Sequence, residues 1–271
     1  MYIVALVTIL LILIIMVVVV ESMFLSYSDF CHVVDNDYWF KSLNSHDLYH
    51  RGCMTHTQYI DQYKNSYIQL NIWEKLYIYT QCLMLNLPNK LRIKYYIVRL
   101  RFDPLIEMSF PHTISNCIIL NDIYFNDDYD QQCNTIIHEL IHIYQRMYPY
   151  DIELLINQMG FYKITYEHQL LINSLDLPIA NSSDMSNVYY CINSDTCYIL
   201  HTIYKNKQLY DICIDTNGVI SQIDFKSGLS QQGHPYEITA EVISRILTNT
   251  YVVRPDWVQL VTNWLNSQII S

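Results

Sequence analysis

NDDYDQQCNTIIHELIHIYQRMY, residues 126 to 148, decides how this chain is read. Asn126, Asp127 and Asp128 offer side-chain oxygens for an N-cap, and Pro149 closes the run, so the stretch predicts one helix. At 100° per residue, His142 and Gln145 fall within about 40° of His138, while Cys133, Ile136, Leu140, Ile143 and Met147 gather near the opposite side. The helix is expected to bury one stripe in a core and to present a separate histidine face.

That face carries His138-Glu139-Leu140-Ile141-His142, an H-E-x-x-H pattern. Two imidazoles four residues apart on a helix reach a single metal ion, for which Zn2+ is the expectation, and the carboxylate beside the first lies where a water would be activated. Zinc acidifies that water and polarises a carbonyl, while Glu139 takes the proton and later delivers it to the leaving amine. His138 and His142 are therefore expected as metal ligands and Glu139 as the catalytic base of peptide-bond hydrolysis. The competing reading keeps both histidines as core residues bonded to backbone or tyrosine.

A catalytic zinc needs a third protein ligand and an open fourth position. Downstream, His234-Pro235-Tyr236-Glu237-Ile238-Thr239-Ala240-Glu241 begins another helix, in which Glu237 and Glu241 share a face. H-E-x-x-H with a later helix bearing E-x-x-x-E resembles the gluzincin zinc peptidases. The resemblance implies that Glu237 is the third ligand and that Glu241 hydrogen-bonds a ligating imidazole. It further implies a sheet before the metal-binding helix, with residues 113 to 121 as an edge along which an extended peptide adds. It covers residues 138 to 142 and 237 to 241. The 94 residues between the motifs exceed the usual spacing, and Glu stands at 241 where Asp is commoner. His234 is the next candidate ligand, with Glu153 and His168 after it. Tyr236 and His234 are the candidate donors to a developing oxyanion.

Around these motifs, residues 28 to 54 read as irregular, 57 to 86 as one or two helices, and 93 to 102 and 113 to 125 as strands. Residues 152 to 175 read as helical and 176 to 187 as a loop. From 188 to 225 the period is that of strands, with Asn217-Gly218 as a hairpin turn. Cys191 and Cys197 flank a short turn within that stretch and are placed to form a disulfide. Helices are expected over 235 to 248 and 256 to 269. The expected fold class is α+β: a zincin-like metallopeptidase domain over 22 to 271 with a β-hairpin-rich insertion, preceded by one N-terminal transmembrane helix within 1 to 21.

The anchor rests on residues 2 to 20, an uncharged run of 19 whose helical length of roughly 28 Å matches a bilayer core. The acidic residues beyond it, Glu21, Asp29, Asp35 and Asp37, place the domain in a lumen, outside the cell or on a viral envelope. The alternative is secretion after cleavage of a signal peptide. Eight cysteines and one acceptor triplet, Asn181-Ser182-Ser183, fit an oxidising compartment and glycosylation at Asn181. The skew to 25 tyrosines against three alanines (Ala5, Ala180, Ala240) points to an AT-rich and viral gene. A formal charge of −10 with no basic block excludes nucleic acid as a partner. The expected partners are a peptide or protein substrate and the membrane. Two readings compete with a peptidase: an inactive or structural envelope protein retaining the metal site, and a zinc hydrolase of a non-peptide bond.

Overall fold

A computed structural model describes residues 2–43, 45–107, 110–163, 170, 190–192, 198–205, 208–214, 220–222, 235–250 and 254–267. Nine helices precede the first long interruption: α1 (Tyr2–Glu21), α2 (Tyr27–Asn36), α3 (Tyr38–Ser42), α4 (Ser45–His50), α5 (His56–Asn65), α6 (Ile72–Met84), α7 (Asp122–Asn126), α8 (Tyr129–Met147) and α9 (Pro149–Gln158). Interleaved with them are β1 (Tyr67–Ile68), β2 (Tyr96–Leu100), β3 (His112–Ile114) and β4 (Cys117–Leu120). These four strands form one sheet in the order β1-β2-β4-β3, with β2 parallel to β4 and the outer pairs antiparallel. Beyond α9 lie β5 (Phe161–Lys163), β6 (Tyr190–Ile192), β7 (Tyr198–Lys205), β8 (Gln208–Ile214) and β9 (Ile220–Gln222), an antiparallel meander. Two more helices come after the meander, α10 (Pro235–Leu247) and α11 (Pro255–Leu265).

The four-stranded sheet is buried on both faces, which accounts for its unbroken apolar runs. Side chains alternate across a strand. Ile97, Ile118 and Leu120 face a core built with α8 to α11, whereas Val98, Leu100, Cys117 and Ile119 face a second core built with α2 to α5. Phe30, Phe40, Tyr59 and Tyr63 fill that second core with ring contacts 5.0 to 6.1 Å apart.

The helical weight corrects the expected fold class. Helices dominate the described residues and the sheet beside α8 is a small one of four strands, so the α+β zincin-like arrangement behind a transmembrane helix is overturned. One source of the difference is residues 28 to 54, which hold three short helices instead of irregular chain. Ser26 and Asp37 cap two of them, accepting from Asp29 N and Trp39 N, and such short segments carry too few turns to show a period. Another is 113 to 125, which is not one strand. Ser115 adopts a left-handed backbone (φ +49°) and folds it into the β3–β4 hairpin, and Asn121 then caps α7.

Over the described residues, no helix is long and apolar enough to cross a membrane. On α1 the described side chains are those of Thr8, Leu10, Leu11 and residues 14 to 21, and the last turn belongs to the folded domain. Val20 is fully buried, Ile97 donates its N–H to the Met23 carbonyl at 2.9 Å, and Lys75 pairs with Glu21 at 2.6 Å. The expected single-pass anchor, and the lumenal, extracellular or envelope location built on it, are withdrawn. Cys31, Cys53, Cys82, Cys117 and Cys133 are free thiols. The side chains of Cys191 and Cys197, and Asn181, lie outside the described residues.

Candidate metal centre

Helix α8 starts where Asp128 accepts a hydrogen bond from Gln131 N and ends at Met147, with Tyr148 as its cap before Pro149 opens α9. It is a central helix. Its apolar stripe, including Ile136, Leu140 and Ile143, is fully buried in the core, and its histidine face is covered as well, by α10. Every residue of α10 from Pro235 to Ser244 is buried, and Ala240, small and fully buried, lies between Glu237 and Glu241 in that covered stretch. Thr239 Oγ1 donates to the Pro235 carbonyl, holding the first turn of α10.

Across this contact three side chains converge. His138 Nε2 lies 3.0 Å from His142 Nε2 and 3.2 Å from Glu237 Oε2, and His142 Nε2 lies 3.3 Å from the same oxygen. His138, His142 and Glu237 are thus a group that can hold a metal ion, and it is the one such His/Cys/Asp/Glu group among the described residues. Their neighbours are ordered too. His138 Nδ1 stands 3.6 Å from Glu241 Oε2, a charge contact longer than a hydrogen bond. Arg245 Nε donates to Glu241 Oε1 at 2.5 Å. On the other imidazole, His142 Nδ1 meets Gln145 Oε1 at 2.8 Å, and Gln145 Nε2 donates to the Tyr236 carbonyl at 2.8 Å.

The electrostatics arise from this crowding. Burial by itself would lower the pKa of His138, but the hydrogen bond to Glu237, the contact with Glu241 and the charge of Glu139 hold it well above the usual imidazole range. Burial would raise Glu237, yet the charge of His142 and hydrogen bonds to both histidines hold its carboxyl well below the ordinary carboxylate range. Glu241 is likewise lowered, against burial, by His138 and Arg245. Without a metal these shifts favour an imidazolium at His138 beside a carboxylate at Glu237. Glu139 is buried at 5% exposure, close enough for its charge to act on His138.

The remaining candidates fall elsewhere. Tyr236 directs its hydroxyl to α9, donating to Glu153 Oε1 at 3.3 Å, which places both residues outside the converging triad. His234 and His168 lie outside the described residues. Thr113 and Ser115, in the stretch expected as a peptide-binding edge, are held by Arg146. Its Nη2 donates to Thr113 Oγ1 at 2.6 Å, and its Nε and Nη2 both donate to the Ser115 carbonyl. Two residues carry no motif of their own in the sequence: Gln145, although it falls on the histidine face, and Arg245, whose only signal is its place four residues after Glu241.

No protein-family model, curated protein or solved structure matches this chain. The compositional reading of a viral gene has no support from these comparisons and is withdrawn.

Proposed function

We propose that this chain is a zinc-dependent hydrolase of peptide bonds, in which His138, His142 and Glu237 hold the metal and Glu139 is the general base. The observation that carries the reading is the triangle of 3.0, 3.2 and 3.3 Å between two imidazole nitrogens and one carboxylate oxygen. Three ligands about 2.0–2.1 Å from a tetrahedral zinc stand roughly 3.3 Å apart, so these residues fit the ion with little rearrangement. Two imidazoles and one carboxylate are a donor set that suits zinc and leaves a fourth position open.

Zinc held there would supply an acidified water and a Lewis acid for the scissile carbonyl. The protein's part is proton traffic and orientation. Glu139 removes the proton of the attacking water and returns it to the departing amine, and its burial keeps the carboxylate from being solvated away from that task. Glu237, held anionic by both histidines, offsets their charge. His138, with 17% of its side chain exposed against 1% for His142 and 6% for Glu237, marks the side from which water and substrate arrive. Metal binding alone needs no base beside the first histidine, so Glu139 favours catalysis over a purely structural ion. The test is Glu139→Gln assayed against a peptide library. It keeps its zinc and loses about 10²- to 10⁴-fold in turnover; cleavage at the parental rate would make the hydrolase reading wrong.

A further inference from the structure

Gln145 belongs to no motif, is 2% exposed, and spends its whole amide on two contacts. The Tyr236 carbonyl can only accept a hydrogen bond, so the nitrogen of the amide must face it. The amide oxygen must then face His142. Since an amide oxygen cannot donate, His142 Nδ1 must carry a proton, and Nε2, beside His138 Nε2 and Glu237 Oε2, is the nitrogen left to give up its proton to a metal ion. One side chain therefore sets both the tautomer and the ring plane of a ligand. It does so from α8 while gripping α10 at the residue immediately before Glu237.

We propose that Gln145 is the positioning residue of the metal centre, a clamp that presets His142 Nε2 for the ion and fixes the register of α10 so that Glu237 meets both histidines. The proposal rests on the reading of His138, His142 and Glu237 as zinc ligands. A ligating imidazole whose other nitrogen is hydrogen-bonded is held in orientation and made more basic, and loss of such a partner lowers metal affinity by about 10- to 100-fold. Gln145 differs from an ordinary partner in reaching across two helices, so it links the two ligands of α8 to the one ligand of α10.

The test uses the full chain and zinc itself, with affinity measured by competition against a chelating dye. Gln145→Leu, similar in volume but without polar atoms, binds zinc about 10- to 100-fold more weakly than the parent. Gln145→Glu restores an acceptor for the Nδ1 proton but not the donor to the Tyr236 carbonyl, and recovers part of the lost affinity, a rescue that a packing role would not give. A second readout does not depend on stability. In zinc-loaded, ¹⁵N-histidine-labelled parent, His142 shows zinc on Nε2 and a slowly exchanging Nδ1 proton, and in Gln145→Leu that proton exchanges rapidly with water. Equal zinc affinity in parent and Gln145→Leu, or zinc on Nδ1 of His142, overturns the proposal while leaving the metal centre standing. A parent that binds no zinc overturns both.

Discussion

His138 Nδ1 faces Glu241 Oε2 at 3.6 Å, and the second oxygen of Glu241 is held by Arg245 Nε at 2.5 Å. Glu241 thus stands beside His138 Nδ1 as Gln145 stands beside His142 Nδ1, through a charge contact in place of a hydrogen bond. Glu241→Ala is expected to weaken zinc binding by about 10- to 100-fold without removing it, because the three ligands remain. Arg245→Met should cost less, since it frees Glu241 without deleting it. Chelator competition on both variants ranks the two effects.

Proton release provides a further check. In the metal-free protein His138 is held protonated well above its usual range, so zinc must displace a proton to reach Nε2. Affinity should fall as pH drops and should rise with pH until the raised pKa of His138 is passed. The same shift sets the sign for stability. A raised folded pKa stabilises the metal-free fold below the unfolded imidazole pKa, and that contribution fades as pH rises through the folded value. Calorimetry in two buffers of different ionisation enthalpy should report protons released on zinc binding at neutral pH. Zero release would contradict a protonated His138.

A buried node braces α8 away from the metal triad. Asp151 accepts from Lys90 Nζ at 2.8 Å, from Tyr144 Oη at 2.6 Å and from Trp264 Nε1 at 2.9 Å, tying α8, α9, α11 and the turn at Asn89–Leu91 together. Lys90 and Asp151 are 3% and 1% exposed. Asp151→Ala would leave the Lys90 charge buried without its carboxylate and should destabilise by about 3–5 kcal/mol in denaturant unfolding. Zinc stoichiometry in the folded fraction should be unchanged, because Asp151 is not among the converging ligands.

Thiol chemistry tests the interior independently. Cys117 is fully buried in β4, and burial pushes its thiol up to about 12. It should resist alkylation in the native protein at neutral pH. Denaturation without reductant should then make Cys31, Cys53, Cys82, Cys117 and Cys133 all reactive, as five free thiols require. A disulfide involving any of them would show as missing label by mass spectrometry.

Local signals are legible where a single helix contains them. Asp128, Pro149 and the four-residue spacing of His138 and His142 define α8 and its histidine face without any tertiary contact. Glu237 and Glu241 are legible as an acidic face of a later helix. That Glu237 meets His138 across 99 positions is a long-range packing event, for which a pattern of letters gives no distance. The separation of a core stripe from a histidine face leaves out that α8 is central and that α10 covers the histidine face too. The reading of residues 2 to 20 fails for a related reason. Over the described residues no helix is long and apolar enough to cross a membrane, and at the end of the run Val20, Glu21 and Met23 join the folded domain through Ile97 and Lys75, which composition does not show. The left-handed Ser115 that divides 113 to 125 is followed by Asn116, a Ser-Asn turn signal that is overlooked when the flanking strand formers are read as one run.

Elemental analysis of the full chain after incubation with stoichiometric zinc and desalting tests the central claim most directly. The account predicts about one equivalent of zinc in the parent and in Glu139→Gln, and none retained in His142→Ala or Glu237→Ala, since two protein ligands do not hold zinc tightly. A parent that emerges without zinc, or a His142→Ala or Glu237→Ala variant that keeps a full equivalent, would contradict it.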